Sequence, residues 1–119
     1  MTEQPPAGGT DHGHIPVMVQ QMIDLLEPAL RAGAAPVLVD ATLGAGGHAE
    51  LALRTYPHIT VIGIDRDESA LTISRGRLAR YGDRISFHHA RFDELPDVVA
   101  ATGRTHIDAA LFEIGRAHV

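Results

Sequence analysis

The stretch Val37-Leu38-Val39-Asp40-Ala41-Thr42-Leu43-Gly44-Ala45-Gly46-Gly47-His48 decides how the chain is read. A short apolar run, rich in branched side chains, ends in an acid. A glycine-rich turn follows, and then a helix-forming segment. The run has the length and composition of a strand buried on both faces of a parallel sheet. Gly44, Gly46 and Gly47 let the backbone turn tightly and let a ligand approach the main chain with no Cβ in the way. The first N–H groups of the following helix then face whatever lies on the turn. This is the pattern of a cradle for a nucleotide-type cofactor.

Upstream, residues 1–13 are rich in Pro, Gly and Thr without periodicity and read as a disordered tail. Asp11, His12 and His14 stand at no metal-site spacing. Pro16 suits the first turn of a helix. Val19, Met22, Ile23, Leu26 and Leu30 recur at three- and four-residue steps, which predicts one amphipathic helix running to a stop near Gly33 and packing against a sheet edge.

Downstream, a helix is expected from about Gly47 to Thr55, ended by Pro57. Ile59-Thr60-Val61-Ile62-Gly63-Ile64 is a second buried strand, closed by Asp65-Arg66-Asp67. Asp67 should cap a helix from about Glu68 to Tyr81, with Ala70, Leu71, Ser74 and Leu78 inward. Ile85-Ser86-Phe87-His88-His89 is a third strand, Ala90-Arg91-Phe92 the loop at its end, and Asp93 the cap of a short helix through about Ala101. Ile107 to Phe112 is the fourth strand. Helix followed by β-α-β-α-β-α-β implies an α/β fold with a parallel sheet and right-handed crossovers. His88 and His89 point to opposite faces of their strand, one packed and one solvated, and so do not chelate one metal together. Arg75, Arg77, Arg80 and Arg84 read as a solvated helix face.

The 119 residues amount to one small domain. There is no Cys, which excludes a disulfide framework and a thiolate zinc site. No long apolar run suggests a membrane span or a secretory signal. The net charge of −5 argues against a nucleic-acid-binding module standing alone, since such modules rest on positive surfaces.

Ligands of open α/β sheets bind beyond the carboxyl ends of the strands. Here those ends offer Asp40 and the glycine turn, Asp65 to Asp67, Ala90 to Phe92, and Phe112 with Glu113. Asp65 lies about 20 residues past the turn, where an acid can accept hydrogen bonds from both ribose hydroxyls. Phe92 can lie against an adenine ring. A dinucleotide and S-adenosylmethionine both fit. Gly44-Ala45-Gly46-Gly47-His48-Ala49 satisfies the loose dinucleotide pattern G-x-G-x-x-A, a weak match by itself, which keeps an NAD-dependent oxidoreductase domain as the alternative. A small non-enzymatic cofactor-binding or interaction domain also remains open. The whole helix ahead of strand one, and Asp40 ahead of a lengthened turn, favour a class I (Rossmann-like) S-adenosylmethionine-dependent methyltransferase.

Read together, His14-Ile15-Pro16-Val17, Asp40 to His48, Ile64-Asp65-Arg66-Asp67, Ala90-Arg91-Phe92 and the Ile107 to Phe112 strand occur in the order and spacing of one family. The chain resembles the N-terminal part of the MraW-type ribosomal RNA small-subunit methyltransferases, over roughly residues 12–112. The resemblance implies transfer of a methyl group from S-adenosyl-L-methionine to the N4 of a cytosine in the decoding region of 16S rRNA. It also implies a cytoplasmic enzyme with the small ribosomal subunit as partner. Carried over by motif, the cofactor contacts are Gly46, Gly47, His48, Asp65 and Phe92. Glu113 stands where the family has an aspartate, so it enters by position only. No residue is assigned as a catalytic base, and no metal is expected.

After Phe112 the family continues Asp-Leu-Gly-Val-Ser-Ser, whereas this chain reads Glu113-Ile114-Gly115-Arg116-Ala117-His118-Val119. Those seven residues can be encoded by a sequencing adapter. Residues 14–112 are therefore expected to be a partial methyltransferase domain and 113–119 a non-native tail. On that expectation strand four exposes an unpaired edge, and the isolated chain is poorly soluble and inactive.

Overall fold

The computed structural model of the chain describes residues 17–112. The tail, most of the His14-Ile15-Pro16-Val17 motif, and Glu113 lie outside the described residues. Within them, α1 (Val17–Leu25) and α2 (Glu27–Arg31) lead into β1 (Val37–Asp40). Then come α3 (Gly47–Thr55), β2 (Thr60–Asp65), α4 (Glu68–Arg77), β3 (Ile85–His89), α5 (Leu95–Ala101) and β4 (Ala109–Leu111). The four strands form one parallel sheet in the order β3-β2-β1-β4. All four carboxyl ends therefore share one edge.

Strand alternation sorts the side chains into two cores. Leu38, Val61, Ile85 and Leu111 face α3, α4 and the first helices, where Ile23, Leu30, Leu53, Leu71 and Leu78 complete a cluster. Val37, Val39, Ile62 and Ile64 face the other way and pack with Val98 of α5. Each such side chain, once buried, contributes about 1.5–3 kcal/mol relative to exposure. β1 is buried along its whole length because it carries helices on both faces and strands on both sides.

Several details differ from the sequence expectation. The first helix is broken: α1 stops at Leu25, and α2 restarts with Pro28 in its first turn. Proline there has no N–H to continue the helix and its ring clashes with the preceding turn. α1 packs on α3, over a sheet face rather than an edge. α4 ends at Arg77, four residues early. A 3₁₀ segment, Ala79–Arg84, follows and is interrupted at Gly82, whose φ of 55° no right-handed helix accepts. Asp67 caps α4 as expected, with Oδ1 accepting the Ser69 N–H at 3.0 Å. Asp93 does not cap α5. It takes two hydrogen bonds from the Arg91 guanidinium, at 3.1 and 2.9 Å. The bidentate pair with a guanidinium takes both carboxylate oxygens, so neither is left for the first N–H groups of α5. β4 is shorter than the stretch expected to form it.

The arginines are not a simple solvated face. Arg84 donates to the carbonyls of Leu53, Tyr56 and Ile59, at 3.0, 2.6 and 3.1 Å. It thus satisfies the open carbonyl end of α3, where a cation is also favoured by the helix dipole. Arg77 and Arg80 both reach Glu50 of α3, which is only 6% exposed. Arg75 and Arg80 are nonetheless largely exposed, and Arg75 makes only a long pair with Glu68 across the surface. Linear sequence hides these contacts because the partners lie some thirty residues away.

Gly63 sits in the middle of β2 where Leu43 folds back over the sheet. A Cβ at that position would lie 2.8 Å from Leu43 Cδ2. Gly63→Ala is predicted to lower unfolding free energy by about 1–3 kcal/mol, the usual range for overpacking. Gly76→Ala, in α4 with open space around its Cβ, should instead raise it by about 0.5–1 kcal/mol. Denaturant titration of the two variants reads both signs. His88 is half-buried beside Ser86, and desolvation lowers its pKa below the ordinary value of 6.5. Its contribution to stability is whole above that value and is lost as pH falls through the folded-state pKa. His88→Gln should flatten this acid-side slope in a stability–pH series.

Candidate functional site

The strand order reverses at β1. The chain crosses from β1 to β2 to β3 on one side, then returns to place β4 on the other side of β1. A crevice forms at such a switch point, beyond the carboxyl ends. The glycine turn stands at this place because it leaves β1 directly.

Hydrogen bonds to β1's neighbours determine the path of the turn. The Ala41 N–H donates to the Leu111 carbonyl of β4, at 2.9 Å. Two residues later the Leu43 N–H donates to the Ile64 carbonyl of β2, at 2.9 Å. Leu43 is buried and rests against Gly63. Gly44 then turns with φ 56° and donates its N–H to Asp65 Oδ2 at 2.8 Å. Gly46, with φ 94°, is the N-cap of α3 and donates to the Leu43 carbonyl. Only glycine takes these left-handed angles without strain. At Gly46 space is limiting too, since a Cβ would lie 3.0 Å from Leu78 Cδ1.

Asp65 is a clasp. Its Oδ2 holds Gly44 and its Oδ1 accepts the Asp67 N–H at 2.8 Å. Each carboxylate oxygen has a second acceptor position, so the group can also take a ribose hydroxyl. Asp40, at the foot of the turn, is 1% exposed and accepts the Thr42 N–H at 3.2 Å. The turn itself, between Ala41 and His48, carries no basic side chain, but the Arg77 guanidinium of α4 reaches it from outside, with Nη1 3.4 Å from the Ala45 carbonyl. The crevice thus sets the carboxylate of Asp65, which suits hydroxyls, beside a turn whose outer side meets a guanidinium.

Phe92 is 60% exposed at the start of the segment following β3. It is not a core residue. Its ring meets Phe112, at the end of β4, edge to face with centroids 6.1 Å apart. Residues following the two edge strands therefore approach one another across the carboxyl edge. The Ala90 N–H, bonded to the Asp65 carbonyl at 3.1 Å, brings this segment beside the acid. His48 is half-buried in the first turn of α3.

Gly46, Gly47, His48 and Asp65 are thus brought to one end of the sheet, with Phe92 on the segment that follows β3. The fit to an approaching ligand shows best at Gly47. Its φ is ordinary, and a Cβ there would meet nothing nearer than Arg77 Nη1 at 3.9 Å. The fold does not require glycine at this position, whereas a ligand pressed on the backbone would. Sequence reading missed the part of Gly63, visible only as a glycine inside a strand, and the Glu50 ion pairs, which have no local signal. A separate groove of about 540 Å³ is lined by Glu50, Arg54, Ile73, Arg77 and Arg80, and contains none of the strand-end residues. Among the described residues no group of three or more His, Asp or Glu could hold a metal, and no helix is long and apolar enough to cross a membrane.

A parallel sheet ordered β3-β2-β1-β4, with a glycine turn after β1 and an acid closing β2, defines a Rossmann-like fold, and the similar solved structures are methyltransferases. An rRNA methylase from Streptococcus thermophilus superposes with a TM-score of 0.67 at 26% identity, covering 87% of this chain and 58% of that one. An S-adenosylmethionine-dependent O-methyltransferase from Thermotoga maritima shares the fold alone, with a TM-score of 0.61 at 13% identity. The MraW methylase family matches residues 11–118, and the chain belongs to that family. The ribosomal RNA small subunit methyltransferase H of Salinispora arenicola is 48% identical over 102 residues, 86% of this chain and 27% of that protein. Its counterpart in Mycolicibacterium smegmatis is 47% identical over 109 residues, 88% of this chain and 29% of that protein. The chain therefore spans under a third of the length of these two relatives.

Gly47→Ala is predicted to leave the unfolding free energy within about 0.5 kcal/mol of the parent, as for an uncrowded site, yet to weaken ligand binding on the turn at least tenfold. Gly46→Ala should weaken binding and also cost roughly 1–3 kcal/mol of stability, through strain at its positive φ. Paired denaturation and calorimetry separate the two effects.

Proposed function

We propose that these residues form the S-adenosyl-L-methionine cradle of an enzyme that methylates 16S rRNA of the small ribosomal subunit, at the N4 of a cytosine. The observation that carries the reading is the meeting of Asp65 with the glycine turn at the β1/β4 switch point. It brings an acid suited to ribose hydroxyls onto a backbone surface cleared of side chains. Family membership and the names of the relatives support the substrate class.

In this reading Gly46 and Gly47 bear the amino-acid end of the cofactor, and the first turn of α3, including His48, presents N–H groups to its carboxylate. Asp65 accepts the ribose hydroxyls. Phe92, already exposed, turns its face to the adenine. Glu113, outside the described residues, stands by position where the family places a further cofactor contact. The bound cofactor supplies an electrophilic methyl group on a cationic sulfur. What the chain would contribute is alignment: these residues would orient the cofactor toward an incoming aryl amine, and alignment of this kind supplies much of the barrier reduction. A target base has to leave its stack to reach such a pocket. The working compartment is the cytoplasm, where the small subunit is assembled.

Calorimetric titration of the full protein that the locus encodes is the test, with S-adenosylmethionine and NAD as ligands, followed by nucleoside analysis of treated small subunits. Binding of S-adenosylmethionine alone and appearance of N4-methylcytidine are expected. Binding of NAD instead would overturn the reading in favour of an oxidoreductase, and binding of neither would point to an interaction domain.

A further inference from the structure

Arg77, at the last position of α4, touches both a buried acid and the glycine turn. Its Nε donates to Glu50 Oε1 at 2.7 Å, and its Nη1 donates to the Ala45 carbonyl at 3.4 Å. Glu50 belongs to α3, one turn beyond the helix start that the cradle uses. Its other oxygen accepts from Arg80 Nη2 at 2.6 Å. Ala45 is flanked by Gly44 and Gly46, both at positive φ. Backbone between two such glycines has little intrinsic preference for one conformation. Apart from the Gly46 N–H bond to the Leu43 carbonyl, restraint comes from outside the turn. Asp65 supplies it on one side through the Gly44 N–H. On the other side stands α4: Leu78 and Ser74 lie against Gly46, and the Arg77 guanidinium holds the Ala45 carbonyl.

We propose that Arg77 is a positioning residue for the cofactor cradle: anchored on buried Glu50, it fixes the Ala45 peptide and thereby the aim of the Gly46 and Gly47 backbone. The proposal rests on the reading of this turn as the S-adenosylmethionine site. Glu50 is the anchor because a nearly buried carboxylate needs cationic partners and holds them in place. Arg80 shares that anchor but directs its other hydrogen bond to Tyr81 OH rather than to the Ala45 carbonyl, and its side chain is 64% exposed against 26% for Arg77. The two arginines therefore separate neutralisation of Glu50 from control of the turn. A preorganised site binds more tightly because less ordering is left to binding.

The experiment compares Arg77→Met and Arg80→Met in the full protein that the locus encodes. Amide hydrogen exchange at Gly46 and Gly47 is measured without ligand, and S-adenosylmethionine affinity by calorimetry. Arg77→Met should speed exchange of the turn amides and raise Kd roughly tenfold, the order expected for one lost charge-assisted restraint. Arg80→Met should change Kd by less than about twofold. Equal losses in the two variants, or unchanged exchange and affinity in Arg77→Met, would overturn the proposal. If Arg77→Met does not fold, Arg77→Lys decides. It keeps the charge beside Glu50 but has one nitrogen for two partners, so a loss of about threefold is expected and no loss overturns the proposal. Failure of the parent to bind S-adenosylmethionine would refute the functional reading instead, while the exchange rates still judge the tether.

Discussion

The hydrogen bond from the Gly44 N–H to the Asp65 carboxylate is the constraint on which the site depends. It joins the loop after β1 to the end of β2 across 21 residues. Parallel strands do not connect by hairpins, so nothing in the local chain brings these two ends together. The bond forms because β1 and β2 pair in a register that sets Asp40 against Gly63. That register in turn accommodates Leu43 over Gly63, where any larger residue would collide. A small side chain in β2, a buried leucine in the turn and an acid at the strand end thus act as one unit.

Around that unit the packing is asymmetric. The face carrying α3 and α4 is dense, and buried charge is managed there by arginines that reach from one helix to the other. The opposite face carries α5 over a smaller cluster. Stability and site geometry are consequently coupled through α4. Its Leu78 and Ser74 limit the space at Gly46, and its Arg77 touches the turn. A helix whose N-terminus follows Asp65 therefore also supports the loop that Asp65 clasps. Both ends of the cradle are tied to one rigid element.

Much of the fold was legible in the linear chain because its signals are local and periodic. The apolar run before Asp40, the glycine turn and the strand closed by Asp65 follow from steric and burial preferences of neighbouring residues. The bounds of α3 and β3 match the expectation. Expectations failed where a distant or competing partner intervened. Pro28 overrode the amphipathic pattern that ran through it, and Arg91 drew Asp93 away from the start of α5.

The order of elements, the acids that close β1 and β2 and the glycines that make the turn possible were settled by sequence alone, since each depends on backbone sterics and short-range periodicity. Strand order, the clasp of Asp65 on Gly44, the exposure of Phe92 and the grip of Arg77 and Arg80 on Glu50 were decided only in three dimensions. Those features depend on which segments become neighbours after the sheet closes. Hydrogen bonds and ion pairs between residues twenty to thirty positions apart leave no periodic trace in the chain.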